Sequence, residues 1–120
     1  TLTLKGSEIE TLLEQQWQGQ SSPRILQVSS GFAYQWDNNR AVGERVVPGS
    51  IKLNGVAIDA AASYRVTVNS FLASGGDGFS VLNSGSNRLG GAQDLDALEA
   101  WFKVHAPVVP GSQNRVMRLN

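Results

Sequence analysis

The sequence predicts an α+β fold, a layered α/β sandwich with mixed sheets and two main helices. Its 120 residues, 41% of them hydrophobic and 17% charged, suit one core and leave no room for a second. Short runs alternate apolar and polar residues with the period of a half-buried strand, and two longer runs place apolar residues at helical spacing. We therefore expect a single domain over 1–120, truncated from a larger protein, because the chain opens at Thr1 directly in strand pattern.

The first strand and helix are predicted near the start of the chain. Residues 1–5 alternate leucines with polar residues, which is typical of a strand with one buried face. The spacing of Ser7 and Glu10 predicts a capping box, and the helix is expected over about 8–18. Its apolar stripe, which we expect in the core, consists of Ile9, Leu12, Leu13 and Trp17.

The middle of the chain is predicted to be extended. Its β-prone runs cover residues 25–29, 32–36, 45–47, 51–53 and 64–68. The first two form either two strands or one bent strand, since Gly31 separates them. Asp37 and the two asparagines after it predict a turn, and Asn54-Gly55 predicts a hairpin.

A second helix and a short last strand are predicted beyond an exposed loop at residues 83–91. Asp94 can cap this helix, and Ala106-Pro107 ends it. The helical spacing of Trp101 and Phe102 predicts both as core residues. A final strand is expected at 116–119.

Composition excludes several classes of function. Ten basic and ten acidic residues give a formal net charge of zero, which offers no general attraction to nucleic acid or anionic lipid. No apolar run approaches the length of a membrane span, so neither a nucleic-acid partner nor membrane insertion by this segment is expected. The absence of cysteine excludes disulfides, thiolate nucleophiles and cysteine metal sites.

Groups for hydrolysis are scarce. The single histidine, His105, lies beside apolar residues near a helix end, where packing is its expected role. One histidine and five scattered aspartates do not suit the ligand set of a metallohydrolase, and there is no G-x-S-x-G motif. We therefore expect no catalytic residue, metal site or cofactor in this chain, and no activity from it alone.

The glycine-rich loop at 75–78 is the best candidate for a ligand site. Its glycines permit close approach of a ligand, and Asp77 can accept two hydrogen bonds from vicinal hydroxyls. Phe71 could present an aromatic face to the same ligand, with Phe79 as the competing candidate. The alternative is a simple turn at the end of a strand, with both phenylalanines in the core. The loop lacks the lysine and the glycine order of the phosphate-binding motifs.

Residues 69–79 resemble the N-x-F-L-A-x-G-G-D-G-F signature in the C-terminal domain of the 5′-nucleotidase family, which includes UDP-sugar hydrolases and 2′,3′-cyclic-nucleotide phosphodiesterases. The resemblance spans essentially the whole chain in the correct order. Further matching segments are 4–7, 12–15, 26–31, 43–46, 53–55 and 64–66.

The resemblance implies a division of labour with an N-terminal metallophosphoesterase domain of the same chain, which would carry divalent metal ions and hydrolyse the substrate. This domain would bind the nucleoside part. Phe71 would be one of two rings that clamp the base, and Asp77 would contact the ribose hydroxyls. Asn69, Gly75 and Gly76 complete the expected substrate-binding set.

The resemblance also implies limits. The family's second clamping ring, with the arginines and asparagine of the pocket, falls before Thr1, so we expect at most millimolar nucleotide binding by this chain alone. The expected function is nucleotide recognition within a periplasmic, secreted or cell-surface 5′-nucleotidase-type hydrolase. The alternative is a non-catalytic binding or envelope module that retains only the fold.

Overall fold

The computed structural model describes all 120 residues and confirms the α+β class, with two sheets and three α-helices. An antiparallel pair joins β1 (Leu2–Lys5) to β5 (Ser63–Val66). The second sheet has the order β4-β3-β2-β6, and its strands are β2 (Phe32–Trp36), β3 (Lys52–Leu53), β4 (Val56–Ala57) and β6 (Val116–Arg118). The helices are α1 (Gly6–Glu14), α2 (Ser70–Ala73) and α3 (Asp94–His105), and 3-10 turns cover Gly76–Gly78 and Ser80–Ser84.

Helix α1 begins two residues earlier than its sequence predicts. The predicted capping box of Ser7 and Glu10 is wrong, because Lys5 is the N-cap and Glu8 Oε2 accepts the Lys5 N–H at 2.7 Å. This bond and one from the Ser84 hydroxyl lower the pKa of the Glu8 carboxyl. The early start depends on Gly6, since a Cβ there would lie 2.1 Å from the Asp59 carbonyl oxygen. The helix also ends at Glu14, and residues 15–19 continue as turns.

The core lies between α1 and the two sheets. It confirms the predicted stripe of α1, including Trp17, which stacks at a tilt on Trp36 with ring centroids 4.8 Å apart. The twelve buried apolar residues are Leu2, Leu4, Ile9, Leu12, Leu13, Trp17, Tyr34, Trp36, Val46, Ile51, Phe79 and Leu82.

A buried polar residue, Gln16, ties this core to the segment that follows it. Its side chain is fully buried, exchanges hydrogen bonds with the Tyr34 hydroxyl, and accepts the Leu26 N–H at 2.7 Å. Burial raises the pKa of that hydroxyl, although the bond to Gln16 acts in the opposite direction. Gln16 therefore fixes the path of the chain around Arg24, whose N–H also bonds the Gln16 carbonyl.

We expect Gln16→Leu to lower the free energy of unfolding by about 2 kcal/mol or more, because the Tyr34 hydroxyl and the Leu26 N–H lose their buried partner. Urea denaturation measures this change. Gln18→Leu is the matched control, since Gln18 is exposed and should give almost no change. Equal stability of the two variants would show that the Gln16 network contributes nothing.

The second sheet confirms the hairpin and the last strand. Asn54 and Gly55 both have positive φ, at 51° and 81°, as a tight hairpin turn between β3 and β4 requires. Strand β6 pairs in parallel with β2. Residues 25–29, however, join no strand ladder, and of residues 45–47 only Val46 forms a bridge, to Trp36.

Helix α3 has the predicted position but not the predicted environment. Its N-cap is Gln93 rather than Asp94. The prediction that Trp101 and Phe102 are core residues is wrong, because these side chains are 45% and 44% exposed. The helical spacing correctly predicts an apolar stripe, but no other element of the chain packs over it.

Candidate functional site

The signature segment forms two short turns of helix that follow β5. Asn69 ends the extended chain and caps α2, with its Oδ1 accepting the Leu72 N–H at 2.8 Å. The chain then reverses at Gly75, where φ is +79°, and enters the 3-10 turn that contains Asp77. This local structure places one face of α2 beside the glycine loop.

The two phenylalanines of the signature have opposite environments. Phe79 is 1% exposed and belongs to the core, whereas Phe71 is 59% exposed. The Phe71 ring lies directly over Gly76, next to Asp77 in the chain. Phe71 is therefore the aromatic side chain that a ligand at this loop could contact.

Asp77 is held in a left-handed conformation with its carboxylate at the surface. Its φ is 55°, a region that aspartate tolerates better than most residues. Gln20 Nε2 donates to its carbonyl oxygen at 2.6 Å, and Arg24 Nη1 lies 3.4 Å from Oδ1. The second carboxylate oxygen has no hydrogen-bond partner within the chain.

Gln20 and Arg24 are members of this cluster that sequence reasoning missed. Gln20 Oε1 accepts the Arg24 Nε–H at 2.9 Å, while its Nε2 reaches the loop. Both residues lie in an irregular segment distant in sequence from Asp77, and no motif marks them. The only signal in the sequence is that residues 26–31, one of the segments that resemble the family, begin just after them.

The glycines of the loop have steric reasons to be glycine. At Gly75, positive φ combines with the Asn83 amide, which would lie 2.5 Å from a Cβ. At Gly76, a Cβ would lie 2.6 Å from the Phe71 ring carbons Cε1 and Cζ and from the Phe71 carbonyl oxygen. Gly76 therefore lets the ring of Phe71 rest on the backbone of the loop.

We expect Gly76→Ala to displace the Phe71 ring and to cost about 1–3 kcal/mol of folding free energy through overpacking. Thermal denaturation measures the cost, and near-UV circular dichroism reports the ring. Gly90→Ala is the matched control, because nothing lies within 4 Å of a Cβ there. Equal stability of both variants would contradict the close contact between Phe71 and Gly76.

His105 lies at the end of α3, where its ring stacks on Trp101 with centroids 4.4 Å apart. The structure contains no group of three or more His, Asp or Glu side chains placed to hold a metal ion. None of its helices combines the length and apolar character needed to cross a bilayer.

Comparisons of this chain with known proteins agree on one family. Residues 1–84 match the family model described as 5′-nucleotidase, C-terminal domain. An apyrase of Tabanus yao is 32% identical over 105 residues, covering 82% of this chain and 19% of that protein. A snake venom 5′-nucleotidase of Macrovipera lebetinus is 30% identical over 128 residues, covering 99% of this chain and 31% of that protein.

A solved structure agrees with these sequence matches. The 5′-nucleotidase precursor from Thermus thermophilus superposes with a TM-score of 0.80 at 36% identity, covering 99% of this chain and 24% of that one. The chain thus spans between about a fifth and a third of the length of these relatives.

Proposed function

Because this chain belongs to the 5′-nucleotidase family, as its C-terminal domain, we propose that it recognises the nucleoside part of a nucleotide substrate. The proposed enzyme is a hydrolase that releases phosphate at a dinuclear metal site in an N-terminal domain of the same protein. The observation that carries the proposal is the exposed Phe71 ring against Gly76, the residue next to Asp77, whose carboxylate lies at the surface of the same loop.

The Phe71 ring supplies the apolar part of recognition. A nucleobase that stacks on an exposed aromatic side chain gains about 1–3 kcal/mol, whichever base it is. The backbone of Gly76 supports the ring from the loop side, so the ring is held in place before a ligand arrives. Preorganisation of this kind lowers the entropy cost of binding.

Asp77 supplies the polar part. Its free carboxylate oxygen can accept hydrogen bonds from the two ribose hydroxyls, while Arg24 holds the other carboxylate oxygen and Gln20 holds the Asp77 carbonyl. Arg24 also offsets the repulsion between this carboxylate and an anionic phosphate on the same substrate. Asn69, Gly75 and Gly76 act on the substrate mainly through the shape that they give the loop.

We expect Asp77→Asn in the full-length enzyme to reduce kcat/KM for a ribonucleotide by about tenfold, because a charge-assisted hydrogen bond to the diol is lost. The corresponding 2′-deoxynucleotide should lose much less. Asparagine tolerates the left-handed backbone, so the loop should keep its shape. Steady-state kinetics with both nucleotides make the comparison.

Asp96→Asn is the matched control, because Asp96 is exposed on α3. It should leave both substrates unaffected. Equal losses for the ribonucleotide and the 2′-deoxynucleotide in Asp77→Asn would overturn the assignment of Asp77 to the diol.

The proposal places catalysis outside these 120 residues. The chain offers no set of metal ligands, so the divalent ions and the activation of water are assigned to the N-terminal domain. The proposed location is periplasmic, secreted or cell-surface. The relatives named as snake venom proteins support export of such enzymes.

A further inference from the structure

The irregular segment that follows α1 meets the signature loop at Asp77. Gln20 Nε2 donates to the Asp77 carbonyl oxygen at 2.6 Å, and Arg24 Nη1 lies 3.4 Å from Asp77 Oδ1. The loop leaves room for this approach at Gly78, where φ is +81° and a Cβ would lie 2.8 Å from Gln20 Nε2. Residues 20–24 therefore contact both the backbone and the side chain of the residue assigned to the ribose.

A third side chain of the same segment extends the contact beyond Asp77. Gln15 Nε2 donates to the Ser80 hydroxyl at 2.9 Å, and Gln15 Oε1 accepts the Val81 N–H at 3.2 Å. The loop backbone is thus anchored at two points, by Gln15 and by Gln20. Because these two glutamines hold the backbone, the contact left to Arg24 is the carboxylate of Asp77.

The orientation of that carboxylate depends on Arg24. The guanidinium is its one polar contact within the chain, at Oδ1. The Asp77 side chain is 41% exposed, so the atoms packed around it restrict its rotation little. An exposed ion pair of this kind stabilises a fold only slightly, but it does select side-chain rotamers. Pairing with Oδ1 selects those in which Oδ2 remains free.

Arg24 is itself held in place. Its Nε–H donates to Gln20 Oε1 at 2.9 Å, and its backbone N–H donates to the Gln16 carbonyl oxygen at 2.8 Å. Gln16 is fully buried and bonds the Tyr34 hydroxyl in the core. Because a guanidinium is planar and rigid, fixing its Nε also fixes the direction of its other donors. A short chain of hydrogen bonds therefore connects the core to the Asp77 carboxylate.

We propose that Arg24 is a positioning residue for ribose recognition, which acts through Asp77 and sets the preference for ribonucleotides over 2′-deoxynucleotides. By holding Oδ1, Arg24 leaves Oδ2 for the hydroxyls of the ribose. A carboxylate that is oriented before the substrate arrives loses less rotational freedom when it binds the diol. This inference rests on the proposed function, because it requires that Asp77 contact the diol.

Steady-state kinetics of the full-length enzyme test the proposal through one ratio, kcat/KM for adenosine 5′-monophosphate divided by kcat/KM for its 2′-deoxy analogue. Arg24→Met removes the guanidinium but keeps a long side chain, and it is measured alone and together with Asp77→Asn. The ratio cancels any effect of the lost charge on the phosphate, since both substrates carry the same phosphate. Arg24→Gln is a second variant, should Arg24→Met fold poorly. Lys103→Met is the matched control, because it removes a cation from another exposed ion pair, with Glu99 on α3.

We expect Arg24→Met to lower this ratio about three- to tenfold, and to change it less than about twofold when Asp77→Asn is already present. Lys103→Met should leave the ratio unchanged. An unchanged ratio in Arg24→Met would overturn the proposal, because Arg24 would then at most support the fold. An equal fall in the presence of Asp77→Asn would also overturn it, since Arg24 would then contact the ribose directly.

Asp77→Asn alone separates failure of this inference from failure of the proposed function. If Asp77→Asn lowers the ratio and Arg24→Met does not, only the role of Arg24 is overturned. If Asp77→Asn leaves the ratio unchanged, Asp77 does not hold the diol, and both its proposed function and this inference are wrong.

Discussion

Phe71→Ala in the full-length enzyme should reduce kcat/KM by about 5- to 150-fold, mainly through a higher KM. The range follows from the roughly 1–3 kcal/mol of stacking that one aromatic face gives a base. Stacking is made in the bound substrate and in the transition state alike, so kcat should change little. Initial-rate kinetics over a wide substrate range measure both constants.

The controls separate loss of the ring from loss of structure. Phe71→Tyr keeps an aromatic face and should retain most of the activity. Val56→Ala removes a 70% exposed apolar side chain from the β3–β4 hairpin and should have no effect. An unchanged KM in Phe71→Ala would mean that this ring does not contact the substrate.

Phe79→Ala should lower the free energy of unfolding by about 3–5 kcal/mol, the usual cost of removing a buried aromatic ring. Phe79 is 1% exposed within the same core as Leu82, so its loss leaves a cavity. Denaturant titration of the two phenylalanine variants provides the comparison. Phe71→Ala should change stability by less than about 1 kcal/mol, because the ring is already exposed.

The contrast between these two variants is itself a test. If Phe79→Ala were the more stable of the two, or if it raised KM without loss of stability, the assignment of one ring to the core and the other to the ligand would be wrong. Phe79→Leu preserves much of the apolar volume and should recover part of the stability.

Local signals predicted the elements that depend on local physics. The alternation of Leu2 and Leu4, the helical stripe through Leu12, and the turn at Asn54-Gly55 each depend on neighbouring residues, and the structure confirms them. The start of α1 was predicted wrongly, because the N–H groups of Gly6 and Ser7 bond carbonyls in the turn at residues 60–62.

Apolar surfaces that no other part of the chain covers limited the prediction of burial. Residues 25–29 are β-prone, but no strand pairs with them. The apolar stripe of α3 is exposed, and no other element packs against it. Periodicity predicts that a face is apolar, but it does not predict which part of a protein lies against it. This is why Trp101, which is exposed, was wrongly predicted to lie in the core.

The candidate site also combines contacts between neighbouring residues, which could be predicted, with contacts between distant residues, which could not. The signature predicted that Phe71 and Asp77 belong together, and the structure places the ring on the backbone of the same loop. Residue chemistry left Phe79 as a competitor of Phe71, because both are apolar residues beside the loop, and only the resemblance to the family pointed to Phe71. Arg24 could not be predicted, since its link to Asp77 depends on the path that Gln16 imposes.

A structure of the full-length enzyme with the nucleoside released from its best substrate would test nucleoside recognition most directly. We expect the base to stack on the exposed face of Phe71 and the ribose hydroxyls to lie within hydrogen-bond distance of the Asp77 carboxylate. A nucleoside bound with neither side chain in contact would contradict it.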